Sequence, residues 1–519
     1  MFIRSTKRLI PAIAVLLILS VVLFKSYDKT FTDQLWNPTP LNEADAQKPH
    51  LPPSAAIPGK LDPNLDPNLD PNLDPNLDPA LKPNTPVVNF PSPPNSPGPD
   101  TDTSIHIVDN NLAKPDLLYD ASGTHRVVKS VSTKNGAYFP INWGHGERAI
   151  NPNIIPHPYL EDHWIVVAQR LHPPRSPATA VFYVELVCSA KFQNDVLECI
   201  SPPIILPIAN TPNGGHCEGP IAFFALNIGP HDARVFWGPD IPYVIFGSNS
   251  VHTCLGMWAQ DFRMLTDFGG GIDETPFRNA VELQRPTGSW SSVEKNWFFF
   301  FDWNNETYVH FDIAPKRAFA KLSPDGSVGE DLASQAATDA ACIEQHMPKF
   351  EPEAHEKIHQ STNSLAITTC DRADPKCVPS EANTFAMTIY QHKKYVGMFS
   401  AVYEPYIALF SRTAPFALFA LSTKPFWISG RGGYKDRGNP VSMKEPGSEV
   451  FNRTEMLYIS SFAWKDAGSK YQGFRDDVLV VSFGIEDNQT AAIDIKAGDL
   501  LLDLSPCAAA AGHLMGLPQ

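Results

Sequence analysis

A tetrapeptide, Leu-Asp-Pro-Asn, repeats from Leu61 and places proline at positions 63, 67, 71, 75 and 79, with Pro83 continuing the run. Each proline fixes its own φ, lacks an amide hydrogen and pushes the preceding residue towards extended geometry. Neither helix nor sheet propagates through such a run, so it reads as an elongated, semi-rigid spacer. A period of four is also too short for the supersecondary units of a solenoid. The chain has 519 residues and 50 prolines, the prolines dense between Asn37 and Pro99. The part able to fold around a core is therefore about 400 residues long. The chain is 43 % hydrophobic, with 31 Phe and 10 Trp, which excludes wholesale disorder. A net charge of −15, with no basic run after the spacer, excludes nucleic acid as a partner.

The N-terminus reads as an address. Leu9 to Phe24 is uncharged, preceded by Arg4, Lys7 and Arg8 and followed by Lys25. As a helix this run spans about 24 Å, which suits the thinner membranes of the early secretory pathway. The cations on its N-terminal side keep that end in the cytosol. The expectation is a cytosolic tail (1–8), a single-pass type II signal-anchor (9–24), a stem (25–105) and a lumenal catalytic domain (106–519), in the Golgi or another secretory-pathway membrane. A cleaved signal peptide is the competing reading, but no A-x-A-like site follows the apolar run. Asn305, Asn452 and Asn488 begin N-x-T sequons, which fits lumenal exposure. All eight cysteines lie between Cys188 and Cys507, and no C-x-x-C pair occurs. Disulfides are expected in such a compartment. Their pairing is not determined by sequence; short loops suggest Cys188–Cys199 and Cys370–Cys377, with Cys217–Cys254 and Cys342–Cys507 as further pairings.

After about residue 105 the chain is punctuated by β-branched and aromatic runs broken by Gly, Pro, Asn and Asp, such as WIVVAQR, RVFWG, NWFFFFDW and DVLVVSFGI. Helical patterns are rare, and 329–346 is the best of them. Strand clusters near 150–190, 221–262, 293–320, 384–421 and 457–503 predict an all-β head, read as a five-bladed β-propeller.

Charged residues at the edges of apolar strands mark the candidate site. They are His231-Asp232-Ala233-Arg234 before VFWG, Glu294-Lys295-Asn296 before WFFFF, and Phe483-Gly484-Ile485-Glu486-Asp487 at the end of LVVSFGIED. Upstream, Asn151-Pro152-Asn153-Ile154 precedes a strand ending at Arg170. This order, N-P-x-I, a strand ending in Arg, D-x-R, a Lys-containing turn and F-G-x-x-D, resembles the β-mannoside phosphorylases and their mannosyltransferase relatives over about residues 145–505. The family commonly has E-D-P-R where this chain has His231 to Arg234, so His231 replaces an acid and Ala233 a proline. The resemblance implies a five-bladed propeller with an axial mannose pocket and inversion at the anomeric carbon. It implies Asp232 as general acid/base, with Arg234, Lys295 and Asp487 binding substrate and Asn151 and Arg170 in the first motif.

His359 and Asn363, in IHQSTNSL, could line the same mouth, as could His145, His216 and Glu218. No metal or other cofactor is expected, because the histidines lack ligand spacing. The D-x-D triplet Asp100-Thr101-Asp102 lies in the stem, and Gly269-Gly270-Gly271 lacks a strand–helix context for phosphate. A tethered lumenal head on a stem leads to the expectation of an inverting glycosyltransferase, moving mannose from a nucleotide sugar such as GDP-mannose to a mannose-containing glycan. The alternatives are a β-mannoside phosphorylase or glycoside hydrolase, and a propeller that only binds glycans.

Overall fold

The computed structural model describes residues 123–171, 181–269, 272, 275–286, 290–349, 356–396, 400–432 and 454–507. The expected tail, anchor and stem, the sequon at Asn452 and the D-x-D triplet lie outside the described residues. Among the described residues, no helix is long and apolar enough to cross a membrane. The two other sequon asparagines, Asn305 and Asn488, are exposed.

The described chain is all-β, and its strands form five consecutive antiparallel meanders. The first comprises Ala149–Pro156, Trp164–Arg170, Glu185–Gln193 and Val196–Cys199. The second comprises His231–Trp237, Pro242–Asn249, Leu255–Asp261 and Val281–Glu282. Phe298–Phe301, Thr307–Asp312 and Ala318–Lys321 make the third. The fourth contains Lys357–Thr368, Thr384–Val396, Ser400–Ser411 and Leu418–Ser422. Leu457–Trp464, Val478–Ile485 and Gln489–Lys496 complete the fifth.

The first strand of each meander is its inner strand. Those of the first, second, fourth and fifth meanders pack against one another, and that of the third packs against the fourth. A separate strand, Phe139–Asn142, joins the last meander to the first: Phe139 pairs with Ala492, and Ile141 runs parallel to Leu197. This closing strand precedes the earliest strand cluster expected from sequence. Such closure removes two sheet edges that would otherwise expose unpaired backbone groups.

Burial on both faces explains the long apolar runs. In Phe298–Phe301 the period of two sends Phe299 and Phe301 into one core cluster and Phe298 and Phe300 into another. Each buried ring contributes about 1.5–3 kcal/mol. The fourth meander departs from expectation. Its inner strand, Lys357–Thr368, contains the polar IHQSTNSL and was invisible as a strand, because its polar side chains are buried against neighbouring meanders rather than facing water. The expected helix at 329–346 is broken into a 3₁₀ turn, Leu332–Gln335, and a helix, Asp339–His346.

All four expected disulfides are present: Cys188–Cys199, Cys217–Cys254, Cys342–Cys507 and Cys370–Cys377. They place the domain in an oxidising secretory or extracellular environment.

Candidate active site

The candidate residues gather where the inner strands begin. Asn151, Asp232 and Asn296 lie at or just before the starts of the first three, all with positive φ, at 53°, 49° and 63°. Asn and Asp tolerate this left-handed region better than other side chains. His359 and Tyr458 occupy the equivalent ends of the fourth and fifth, and pairing of Leu457 with Ile485 brings Glu486 and Asp487 to the same end.

Irregular register is what aims these side chains. Ile150 pairs with Gln169 but Asn153 with Val167, so three steps on one strand oppose two on the other. The same mismatch separates the His231–Gly247 and Arg234–Ile245 pairs. Comparable shifts occur between Gln360 and Ser364 and between Ile459 and Ser461. A bulge bends its strand and re-aims the side chains next to it, which is why bulges collect near active sites. Two glycines permit the close approaches: a Cβ on Gly229 would sit 2.2 Å from the Tyr183 carbonyl oxygen, and one on Gly484 would sit 3.1 Å from Asn151 Oδ1.

Asp232 is held from several directions. Asn151 Nδ2 donates to its Oδ1 at 2.6 Å, and its backbone N–H donates to Gln169 Oε1 at 2.9 Å. The next N–H, of Ala233, donates to Glu185 Oε1 at 3.2 Å. Asn153 ties the same strand down, giving Nδ2 to the Ala233 carbonyl at 2.6 Å and accepting from the Val235 N–H at 3.2 Å. Arg234 is buried and braces the turn. It donates to the Asp232 carbonyl at 3.1 Å and to the Ser361 carbonyl at 3.2 Å, with its guanidinium 5.9 Å from the Tyr458 ring centroid. Tyr458 donates to Asn296 Oδ1 at 3.3 Å. Burial pushes its hydroxyl up to about 12, against the pull of Arg234.

A cavity of about 120 Å³ opens beside this group, and its polar lining is His231, Asp232, Arg234, Glu294, Lys295 and Asn296. His231 packs its ring on Tyr183 with centroids 3.9 Å apart, and burial lowers its pKa against the opposing charge of Asp232. Burial, then the charges of Lys393, Lys295 and Lys357, bring His359 down to about 4, so it is a neutral imidazole at physiological pH. Asp487 is exposed, yet desolvation raises its carboxyl above the usual range; the charges of Asp232 and Glu486 add to this and Lys393 opposes it. The site thus gathers Asn151, Asp232, Arg234, Lys295, His359 and Asp487.

Two expected residues are engaged by other partners. Arg170 forms a two-pronged ion pair with Glu147 at 2.7 and 2.9 Å, so its guanidinium is committed; its neighbour Gln169 makes the contact to Asp232 instead. Asn363 is buried and stitches the fourth meander to the fifth, donating to the Phe462 carbonyl at 3.0 Å and accepting from the Phe462 N–H at 3.2 Å. His145, His216 and Glu218 are exposed, and His216 bonds the Val251 carbonyl at 3.0 Å. Gln169, Glu185, Lys393 and Tyr458 were missed as site residues. Their roles depend on strand register, and the only local signal was their position at strand ends.

Glu185 carries a testable consequence. It is fully buried, and Oε2 has no hydrogen-bond partner. Burial pushes its carboxyl from 4.5 up to about 8; the Ala233 N–H opposes this, Asp232 adds to it and Arg234 opposes it. The folded chain therefore keeps a proton that the unfolded chain releases above its ordinary pKa. Stability must fall as pH rises from about 4.5 to about 8 and level off beyond, with a contribution on the order of a few kcal/mol. Glu185→Gln copies the protonated form and is expected to remove this slope. Urea unfolding of both proteins at pH 5 and pH 8 measures it; equal slopes would refute the assignment.

A larger cavity, of about 410 Å³, lies at the opposite ends of the first and fifth meanders, with Trp164, Lys191, Phe192, Lys465 and Asp494 in its wall. It is remote from Asp232 in register. Its buried carboxylate, Asp494, is already satisfied by Ser130, Ser132 and Lys465. The smaller cavity is the one with candidate chemistry.

No family model matches the chain, and no curated protein matches it. Solved structures do. The chain is similar to a β-1,2-mannobiose phosphorylase from Listeria innocua in complex with β-1,2-mannobiose, at 12 % identity over 72 % of this chain and 96 % of that one, with a TM-score of 0.37. It is similar to a glycosyl hydrolase from Bacteroides ovatus (10 % identity, 73 % and 92 % covered, TM-score 0.34). An α-L-arabinanase from Cellvibrio cellulosa complexed with arabinohexaose is also similar (8 % identity, 69 % and 98 % covered, TM-score 0.33). These findings correct the expectation of a nucleotide-sugar mannosyltransferase, since the similar structures are glycoside hydrolases and a phosphorylase.

Proposed function

We propose that the five meanders are the blades of a propeller that cleaves glycosidic bonds with inversion, as a glycoside hydrolase or a β-mannoside phosphorylase. The observation that carries this reading is the setting of Asp232. It is a half-buried carboxylate in a left-handed turn, bonded by Asn151, facing a small polar cavity and within electrostatic reach of a second carboxyl, Asp487. Inverting cleavage needs one carboxyl group to protonate the leaving oxygen while an acceptor attacks the anomeric carbon from the opposite face. Asp232 is the candidate for the proton at the glycosidic oxygen. In hydrolysis Asp487 activates the attacking water, and its raised pKa moves the acidic limb of the pH profile upward.

The cations supply a specific reason to keep phosphorolysis as the second reading. Lys295 lines the cavity, and it and Lys393 both act on His359 from the same end of the ring. Such charges stabilise an incoming phosphate, which needs no general base. Incubation with β-1,2-mannobiose separates the readings. Mannose formed without phosphate supports hydrolysis, mannose 1-phosphate formed only with phosphate supports phosphorolysis, and neither product from this or a panel of other glycosides would sink both.

A further inference from the structure

The cavity beside Asp232 also has apolar side chains in its wall. They are Phe224, Leu255, Met257 and Val293, which share the lining with Asp232, Arg234, Glu294 and Lys295. Sugar hydroxyls gain nothing from such a wall, because each would lose water without finding a partner. Phe224 belongs to a 3₁₀ segment, Gly219–Leu226, of sequence GPIAFFAL. Ile221 and Phe224 pack on the buried cluster of Cys217, Cys254 and Leu255, so the disulfide ties the segment to the third strand of its meander. From the cavity the apolar surface continues outward. The Phe223 ring lies 4.2 Å from that of Phe224 and is 58 % exposed, and Leu226 is 51 % exposed. Phe182, also 58 % exposed, pairs through its backbone with Ile228 immediately beyond. A strip of exposed apolar side chains continuous with a polar cleft marks a surface that recognises something apolar.

We propose that the substrate is a glycoside with an apolar aglycone, the sugar lying against Asp232 and Lys295 and the aglycone running over Phe224 onto Phe223 and Leu226. This rests on the glycoside-cleaving reading above for what happens to the bond, but the binding preference stands separately. Met257 and Phe224 line the cavity, and such side chains accommodate a flexible apolar chain.

The test compares n-octyl β-mannoside, below its micellar concentration, with methyl β-mannoside, using the full chain. Calorimetry reads binding and mannose release reads cleavage. The octyl compound is expected to bind at least tenfold more tightly. The double substitution Phe223→Ser with Leu226→Ser, at exposed positions and checked for an unchanged Tm, is expected to remove most of that preference while leaving the methyl compound unaffected. Equal affinities, no binding of the octyl compound, or a preference that survives the double substitution would each overturn the inference. If the preference is present and lost in the variant but neither compound is cleaved, the apolar-aglycone site stands and the β-mannoside-cleaving reading fails. If both are cleaved without preference, the reverse holds.

Discussion

Asp232→Asn is expected to lower turnover of a glycoside by about 10²–10⁴-fold, the usual contribution of a positioned proton carrier. The amide oxygen can still accept from Asn151 Nδ2, and the backbone contacts to Gln169 and Glu185 do not involve the side chain, so the turn should persist. KM should therefore change far less than kcat, because the loss falls on the transition state. Steady-state kinetics on the best glycoside substrate, with thermal unfolding as a folding control, decide the matter. Activity within tenfold of the parent would remove Asp232 from the proton transfer. A ring that merely binds glycans predicts unchanged binding by this variant and no turnover in either protein.

The second large effect concerns closure. Phe139→Ala is expected to cost about 3–5 kcal/mol of stability. The ring of Phe139 is 4 % exposed and sits 4.9 Å from Phe192 in the cluster that also holds Trp143 and Trp164. Its strand is the link between Ala492 of the fifth meander and Leu197 of the first. The loss therefore falls on the seam where the two ends of the repeat meet, and denaturant titration should show a lower midpoint. A substitution of an exposed residue on the same strand, Asn142→Ala, is expected to cost less than about 1 kcal/mol. Similar losses for the two would mean that the strand does not seal the ring.

How far the site was readable depended on the kind of signal. Asp232 and Lys295 stood out because a charge at the edge of an apolar strand breaks a local pattern, and the resemblance to mannoside phosphorylases added their order. Arg170 had the same local appearance. Whether a guanidinium at a strand end reaches a ligand or a neighbouring carboxylate depends on where Glu147 lies, and that is set by the preceding loop. Asn363 failed differently. It lies inside the irregularity between Gln360 and Ser364, where four steps on its strand oppose two on the next, and a bulge leaves no mark in a hydrophobicity pattern. Glu185 and Gln169 lie in strands whose apolar neighbours masked them. They became recognisable only through bonds to Ala233 and Asp232, 48 and 63 residues away in sequence.

The amino-acid sequence by itself determined that a proline-built segment precedes the fold, that the rest is all-β, and that eight cysteines pair as four disulfides. Each of these follows from local chemistry: a ring that fixes φ, side chains that favour a pleated buried surface, and an even set of thiols without metal-ligand spacing; the pairing itself, Cys342 with Cys507 across 165 residues included, was decided by the fold. Tertiary structure alone decided which polar residues face the cavity, how the last meander is joined to the first, and that apolar side chains share the cavity wall. Those outcomes depend on register between strands distant in the chain, where a single extra residue turns a side chain from solvent to site.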